Sequence, residues 1–356
     1  MNVKLVYDIS PSKENKRNSE GSFLRASTGE ILFAYSAYES GGHDHAACNI
    51  NIIRSFDEGE TWSVPTQLVS ASFFETKNIM SVSAMVHSDG SMAFYFLVKE
   101  IDGSSTIGRA ISYDGGKTFI PERPQWNAPN AYYVINNDRF IRTLDGKIIV
   151  PAASYPVSNV KTGVYDPAVT VLLVSDDEGK SFYLHPSVHL TYNDRVNLNH
   201  GLQEPGIIEL SQDTYWVWMR TGASYQYESY STDGLKSFTR PEPSIFTSPD
   251  SPMQIVRYDK DTLYAVYNPI PNYNGRRKVM WWSGRTPFVI RKSTDNGKTF
   301  GELNVIENDE DRGYCYPAVI FTNDDSMLCA YCRGSEEDKE CLFRLGIAKI
   351  PLSDIK

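Results

Sequence analysis

The sequence predicts an all-β fold, a six-bladed β-propeller of four-stranded antiparallel blades. Three observations lead there: a hairpin motif written five times, strand-like segments in the same order around each copy, and almost no helical periodicity. The motif reads SFDEGETW from Ser55, SYDGGKTF from Ser112, SDDEGKSF from Ser175, STDGLKSF from Ser231 and STDNGKTF from Ser293. Successive copies start 57, 63, 56 and 62 residues apart. Such a period is long for a solenoid and suits one four-stranded blade with generous loops.

The elements follow in order. Ser22–Ser27, Glu30–Tyr38 and Asn49–Ser55 are rich in aromatic and β-branched residues and read as three strands. The box comes next, and a short fourth strand near Thr66–Ser70 follows it. Within a box the Asp can accept from backbone N–H groups of its own turn, while Gly supplies a positive φ. The Ser or Thr hydroxyls can close the loop, and the terminal Trp or Phe can tuck between strands. The box is therefore read as structural.

After Phe300, three more strands are expected at Tyr316–Phe321, Ser326–Arg333 and Cys341–Ile350, with no sixth box. The fourth strand of that blade is expected from the N-terminus, Val3–Asp8. It would close the ring and remove two free sheet edges. Residues 1–356 thus read as one domain, although 356 residues by length alone would suggest two or three.

Composition narrows the function. The net charge is −9, and the basic runs at Lys13–Arg17 and Gly275–Lys278 are short, which argues against a nucleic-acid partner. No stretch approaches the roughly 20 apolar residues of a membrane span. MNVKLVYDISPSKENKR lacks the apolar core of a signal peptide, so a cytoplasmic protein is expected. The five cysteines, at 48, 315, 329, 332 and 341, are expected to be buried thiols rather than a disulfide framework.

In a propeller the first strand of each blade lines the central channel, and loops at one mouth hold the ligand. Inner strands are expected to start near Glu20, Met80, Ile135, Leu202, Met253 and Tyr316. In LQEPGIIELSQDTYWVWMR, Glu204 opens one inner strand and Arg220 ends the next, so a hairpin can bring both to one mouth. RGYCYPAVIFTNDDSMLCAYC carries Tyr316, with Tyr314 as its competitor on the same face and Tyr331 on the following strand. A phenol with a pKa near 10 needs a base to attack at neutral pH, and Glu204 is the candidate.

With these residues the sequence resembles the Asp-box, or BNR-repeat, propellers, whose best-known members are sialidases. The resemblance covers essentially the whole chain. It implies a retaining exo-glycosidase in which Tyr316, activated by Glu204, attacks the anomeric carbon and Asp44, in ESGGHDHAAC, is the acid/base. A Tyr–Glu couple avoids the repulsion that a carboxylate nucleophile would meet at a carboxylate-bearing carbon. Gly41 and Gly42 suggest a mobile loop, and His43 and His45 are expected to contact hydroxyls or tune Asp44. Two alternating histidines make a weak metal motif, and the implied chemistry needs no metal or cofactor.

Of the three arginines the family uses on a carboxylate, Arg220 fits the second. Arg285 fits the third, with Arg276 and Arg277 as stand-ins. Glu20 falls where the first arginine is expected, and Arg25 lies too far along the strand. The expected partner is a glycan or glycoside carrying a terminal acidic sugar. Three alternatives remain: a propeller glycosidase acting on a non-sialic sugar, held through hydroxyl or amino groups by Glu20; a carbohydrate-binding propeller that stacks sugars on Tyr273, Trp281 and Trp282; and a hydrolase or lyase using Asp138, Arg139 and His200.

Overall fold

The computed structural model describes residues 1–162, 166–191, 200–270 and 285–356. It is a ring of six antiparallel sheets. The first blade runs Arg17–Arg25, Ile31–Tyr38, Cys48–Ser55 and Thr66–Val69 from the channel outward. The second runs Ile79–Val86, Met92–Lys99, Ser105–Ser112 and Ile120–Glu122. In the third, Tyr132–Val134 and Ile141–Arg142 share the inner position against Ile148–Tyr155, followed by Val169–Ser175 and Ser181–Leu190. A short strand, Gln125–Trp126, adds to its rim in parallel.

The fourth blade comprises Gln203–Ser211, Thr214–Arg220, Tyr225–Ser231 and Glu242–Thr247. The fifth comprises Gln254–Arg257, Leu263–Tyr267, Phe288–Ser293 and Asn304–Glu307. Cys315–Phe321, Ser326–Cys332 and Leu345–Pro351 build the sixth, and the N-terminal strand Lys4–Ile9 pairs with Leu345–Pro351 as its outer strand. The ring therefore closes by joining the two chain ends. Among the described residues the one α-helix is Val157–Thr162, and no helix is long and apolar enough to cross a membrane.

Each box begins at the last residue of a blade's third strand and turns the chain into the fourth. This explains the missing sixth box: at that point of the last blade the chain ends meet instead. In the third blade Ser175 Oγ donates to Asp177 Oδ1 at 2.8 Å and accepts from Gly179 N at 2.8 Å. The other boxes repeat this pair of bonds, with Leu235 at φ 67° in the glycine position of the fourth. Glycine at 179 is also a matter of space, because a Cβ there would lie 2.0 Å from Tyr95 Oη in the second blade. The box thus presses one blade onto the one before it. Glu58 does the same with charge, bonding Arg25 at 2.8 Å and Asn323 N of the sixth blade at 3.0 Å.

The inner strands start within three residues of where the sequence indicated in all six blades. The first begins at Arg17 rather than Glu20, and a bulge between Ser19 and Ser22 adds residues opposite Ala34–Ser36. All five cysteines are buried free thiols.

The channel itself is closed by polar ties. Asp138, in the break of the third inner strand, accepts from Ser22 Oγ at 2.7 Å, Gln254 Nε2 at 3.2 Å and Val319 N at 3.2 Å. Arg139 donates to Met253 O at 2.6 Å. One loop thereby bonds to the inner strands of the first, fifth and sixth blades. This occupies Asp138 and Arg139 structurally.

Replacing Ser175 with Ala leaves the buried Gly179 N–H without its acceptor. Urea denaturation is expected to show a loss of about 1–3 kcal/mol, the cost of an unsatisfied buried group.

Candidate active site

At the starts of the inner strands a cavity of about 640 Å³ opens at one mouth of the ring. Arg17, Asp44, Glu204, Arg220, Arg285 and Tyr316 all line it, together with His43, His45, His200 and Glu340. A second cavity of about 680 Å³ lies at the opposite ends of the inner strands, where Arg142 is paired with Glu178 and Arg257 with backbone carbonyls. Among the described residues lining it there is no phenol–carboxylate couple, so the first mouth is the candidate site.

Local backbone geometry delivers these side chains. Four inner strands carry a bulge of the same form, and the residue just inside it has a left-handed backbone: Glu20 (φ 55°), Ser81 (φ 59°), Glu204 (φ 40°) and Tyr316 (φ 57°). A left-handed residue breaks the in–out alternation of a strand. In the last blade Tyr316 reaches the cavity while Tyr314, two residues earlier, is fully buried in the core between the fifth and sixth blades. The expectation that both tyrosines share a face is corrected by this bulge. Tyr331 also belongs to that core, where its hydroxyl donates to Glu307 at 2.8 Å.

Tyr316 Oη donates to Glu204 Oε1 at 2.8 Å. Arg220 Nη1 holds the other oxygen of Glu204 at 2.8 Å, and its Nε holds Asp250 Oδ1 at 2.7 Å. The hairpin between Gln203–Ser211 and Thr214–Arg220 places Gln203 opposite Arg220, which is why Glu204 and Arg220 meet. Burial and the Glu204 charge push the Tyr316 phenol well above its usual value. It is therefore a protonated donor.

Arg17, which the sequence reading did not single out, also lines the cavity. It stands three residues before Glu20, and its guanidinium is 1% exposed. Nη1 donates to Asp44 Oδ1 at 2.6 Å and Gly42 O at 3.0 Å; Nη2 donates to Glu20 Oε1 at 3.0 Å. Glu20 does not line the cavity; it supports Arg17 from below and accepts from Ser81 Oγ at 3.2 Å. Arg25 pairs with Glu58 on the rim, as its distance along the strand required. The missed signal was the repeated break itself. Aligning Ser19-Glu20-Gly21 with Gln203-Glu204-Pro205 and Cys315-Tyr316-Pro317 brings the inner strand back to Arg17.

One guanidinium faces two carboxylates here, and they do not share it equally. Burial pushes Glu20 up to about 7 despite Arg17, with the Asp44 and Glu204 charges adding to the rise. For Asp44 the surrounding protein also raises the carboxyl, but Arg17 and Lys99 outweigh it and hold it at about 2. Asp44 has the shorter bond to Arg17 and a side chain 59% exposed to the cavity, so it keeps the charge more readily than the buried Glu20. Lys99, lowered to about 8 by burial, donates to Asp44 O at 2.6 Å, and Asn78 Nδ2 donates to the same carbonyl at 3.1 Å. The loop expected to be mobile is thus tied to the second blade. Gly42 permits close packing, since a Cβ there would lie 1.8 Å from the Phe343 ring.

Of the remaining candidates, Arg285 is buried beside Cys315 and donates to Asp250 O at 3.4 Å. His45 is half-buried near the Tyr132 ring, and His43 Nδ1 accepts the His45 N–H at 3.3 Å. Among the described residues no cluster of His, Cys, Asp or Glu forms a metal cage. Arg276, Arg277, Tyr273, Trp281 and Trp282 lie outside the described residues.

Comparison with known proteins agrees with this architecture. A family profile described as the BNR repeat-like domain matches residues 92–329. Among solved structures, the Hadza microbial sialidase Hz136 superposes with a TM-score of 0.73 at 14% identity, covering 96% of this chain and 67% of that one. A Dyadobacter fermentans DSM 18053 protein of unknown function gives 0.70 at 18% identity, covering 98% and 99%. NanB sialidase from Streptococcus pneumoniae gives 0.69 at 11% identity, covering 99% and 71%. No curated protein matches at a significant level.

Glu20 has a testable signature. Its folded value of about 7 lies above the ordinary 4.5, so the folded state holds a proton that the unfolded state has released. Its contribution to stability is full below pH 4.5 and is lost as pH rises through 7. Relative to Glu20→Gln, the wild type is expected to lose roughly 3 kcal/mol across that window, read by urea denaturation at a series of pH values.

Proposed function

The chain belongs to the BNR repeat-like family, and from that premise and the geometry of its cavity we propose that it is a sialidase-like retaining exo-glycosidase acting on a terminal acidic sugar. The observation that carries this reading is the 2.8 Å hydrogen bond from Tyr316 to Glu204, in a cavity that Asp44 and three arginines also line. The solved sialidases share this fold.

The steps follow from the side chains. Arg17, Arg220 and Arg285 offer planar donor edges suited to one carboxylate. Tyr316 Oη attacks the anomeric carbon as Glu204 takes the phenolic proton, so no second anion approaches the substrate's carboxylate. Asp44 gives its proton to the leaving oxygen. Water, deprotonated by Asp44, then cleaves the tyrosyl–sugar bond, the proton on Glu204 returns to Tyr316, and the configuration is retained.

Asp44 beside Arg17 is ionised, whereas an acid catalyst must carry a proton. A substrate carboxylate on Arg17 resolves this. It competes for the cation that stabilises the Asp44 charge and adds a negative charge beside it. Both effects raise the Asp44 carboxyl towards the range of a general acid.

Hydrolysis of a panel of aryl glycosides tests the reading: an α-sialoside, its deaminated analogue and neutral hexosides. The wild type is expected to release the aryl group from an acidic sugar, and Tyr316→Phe to lower kcat on the order of a thousandfold or more. Release from neutral hexosides alone, or equal rates in the variant, would remove the tyrosine mechanism.

A further inference from the structure

Beneath Arg285 lies a cluster of three buried thiols that the proposed chemistry does not use. Cys315 and Cys332 face each other across the first two strands of the last blade, and Cys341 comes from the loop that leads into the third. All three are fully buried. The Cys315 sulfur accepts from Arg285 Nη1 at 3.2 Å and packs with Cys332 and Cys341 in one buried cluster. The same Nη1 is 3.9 Å from Cys341 Sγ.

A neutral thiol is a weak acceptor, and a buried sulfur that takes a hydrogen bond from a guanidinium has the surroundings of a thiolate. Burial alone would raise the Cys315 thiol; the two neighbouring thiols and then Arg285 outweigh it and bring it well below its ordinary value. Cys332 and Cys341 are pushed the other way by burial and by the charge on Cys315, which keeps them as donors. The charged groups near this assembly are Arg285, Arg220, Glu340 and, farther off, Arg17 and Glu20.

We propose that Cys315 is a positioning residue whose sulfur seats the Arg285 guanidinium at the cavity, where the arginine is to meet the carboxylate of an acidic sugar. The peptide link between Cys315 and Tyr316 gives the seat a second consequence, because one bulge then fixes both the nucleophile and the support of the carboxylate-binding cation. The proposal rests on the reading of Arg285 as a carboxylate ligand.

Two measurements separate the seat from that reading. The first is the ultraviolet absorbance of thiolate in the folded protein as a function of pH, for the wild type and Cys315→Ser. The wild type is expected to show one ionised thiol at neutral pH that the variant lacks; identical curves would overturn the proposal. The second is steady-state kinetics on an acidic aryl glycoside. Cys315→Ala is expected to raise KM about 10- to 100-fold, the span of a hydrogen bond to a charged group, while kcat changes less than about threefold. Cys315→Ser, which keeps an acceptor without the charge, should fall between. An unchanged KM in a folded Cys315→Ala protein sinks the positioning role. Were the wild type inactive on every acidic glycoside, the functional reading would fall, and the thiolate titration would still decide whether Cys315 seats Arg285.

Discussion

The site depends on one backbone constraint: in each blade a non-glycine residue at or just before the inner strand is held at positive φ. The residues are Glu20, Ser81, Asp138, Glu204, Asp250 and Tyr316, with φ between 40° and 59°. Such conformations cost on the order of 1–3 kcal/mol each and persist only where the surroundings over-determine them. Here the surroundings are the closed ring. The N-terminal strand completes the last blade, the boxes press each blade onto its neighbour, and Asp138 ties four inner strands across the channel. What the closed ring sustains is a set of side chains turned out of the strand alternation. Four of these six residues touch the candidate site or its arginines.

Electrostatics follows from that placement. Arg17, Arg220 and Arg285 are all buried or nearly so, and no isolated guanidinium is tolerated there. Each has an anionic or anion-like partner: Asp44 and Glu20 for Arg17, Glu204 and Asp250 for Arg220, the Cys315 sulfur for Arg285. The cations are therefore preorganised before any ligand arrives, which lowers the cost of binding an anion. The arrangement also sets the protonation states. Asp44 takes the more accessible share of Arg17 and stays charged, while Glu20 beneath it is driven towards its neutral form.

The same packing explains why the loop of Gly41-Gly42 is held. Glycine there reads from sequence as a hinge, yet Gly42 is required because the Phe343 ring occupies the space of a side chain. Lys99 and Asn78 then fix the loop through the backbone carbonyl of Asp44. A carboxylate that must exchange partners during a reaction is better placed on an anchored backbone, since only its side chain then has to move.

By itself the sequence determined the ring. The box is local chemistry: Ser, Asp and Gly at fixed offsets bond within one turn, so five copies in phase declare five blades and leave material for a sixth. It also determined the Glu204–Arg220 hairpin, because a tight antiparallel pair fixes which residues face each other. That Arg17 reaches the cavity was decided only by the tertiary structure. A bulge changes the number of residues along a strand without changing its composition, so the sequence put Glu20 at the mouth where the structure places Arg17. The choice between Tyr314 and Tyr316, the division of Arg17 between two carboxylates and the bond from Arg285 to Cys315 were likewise decided by the tertiary structure. They depend on the bulges and on which strands and loops pack together, and that packing exists only in the closed ring.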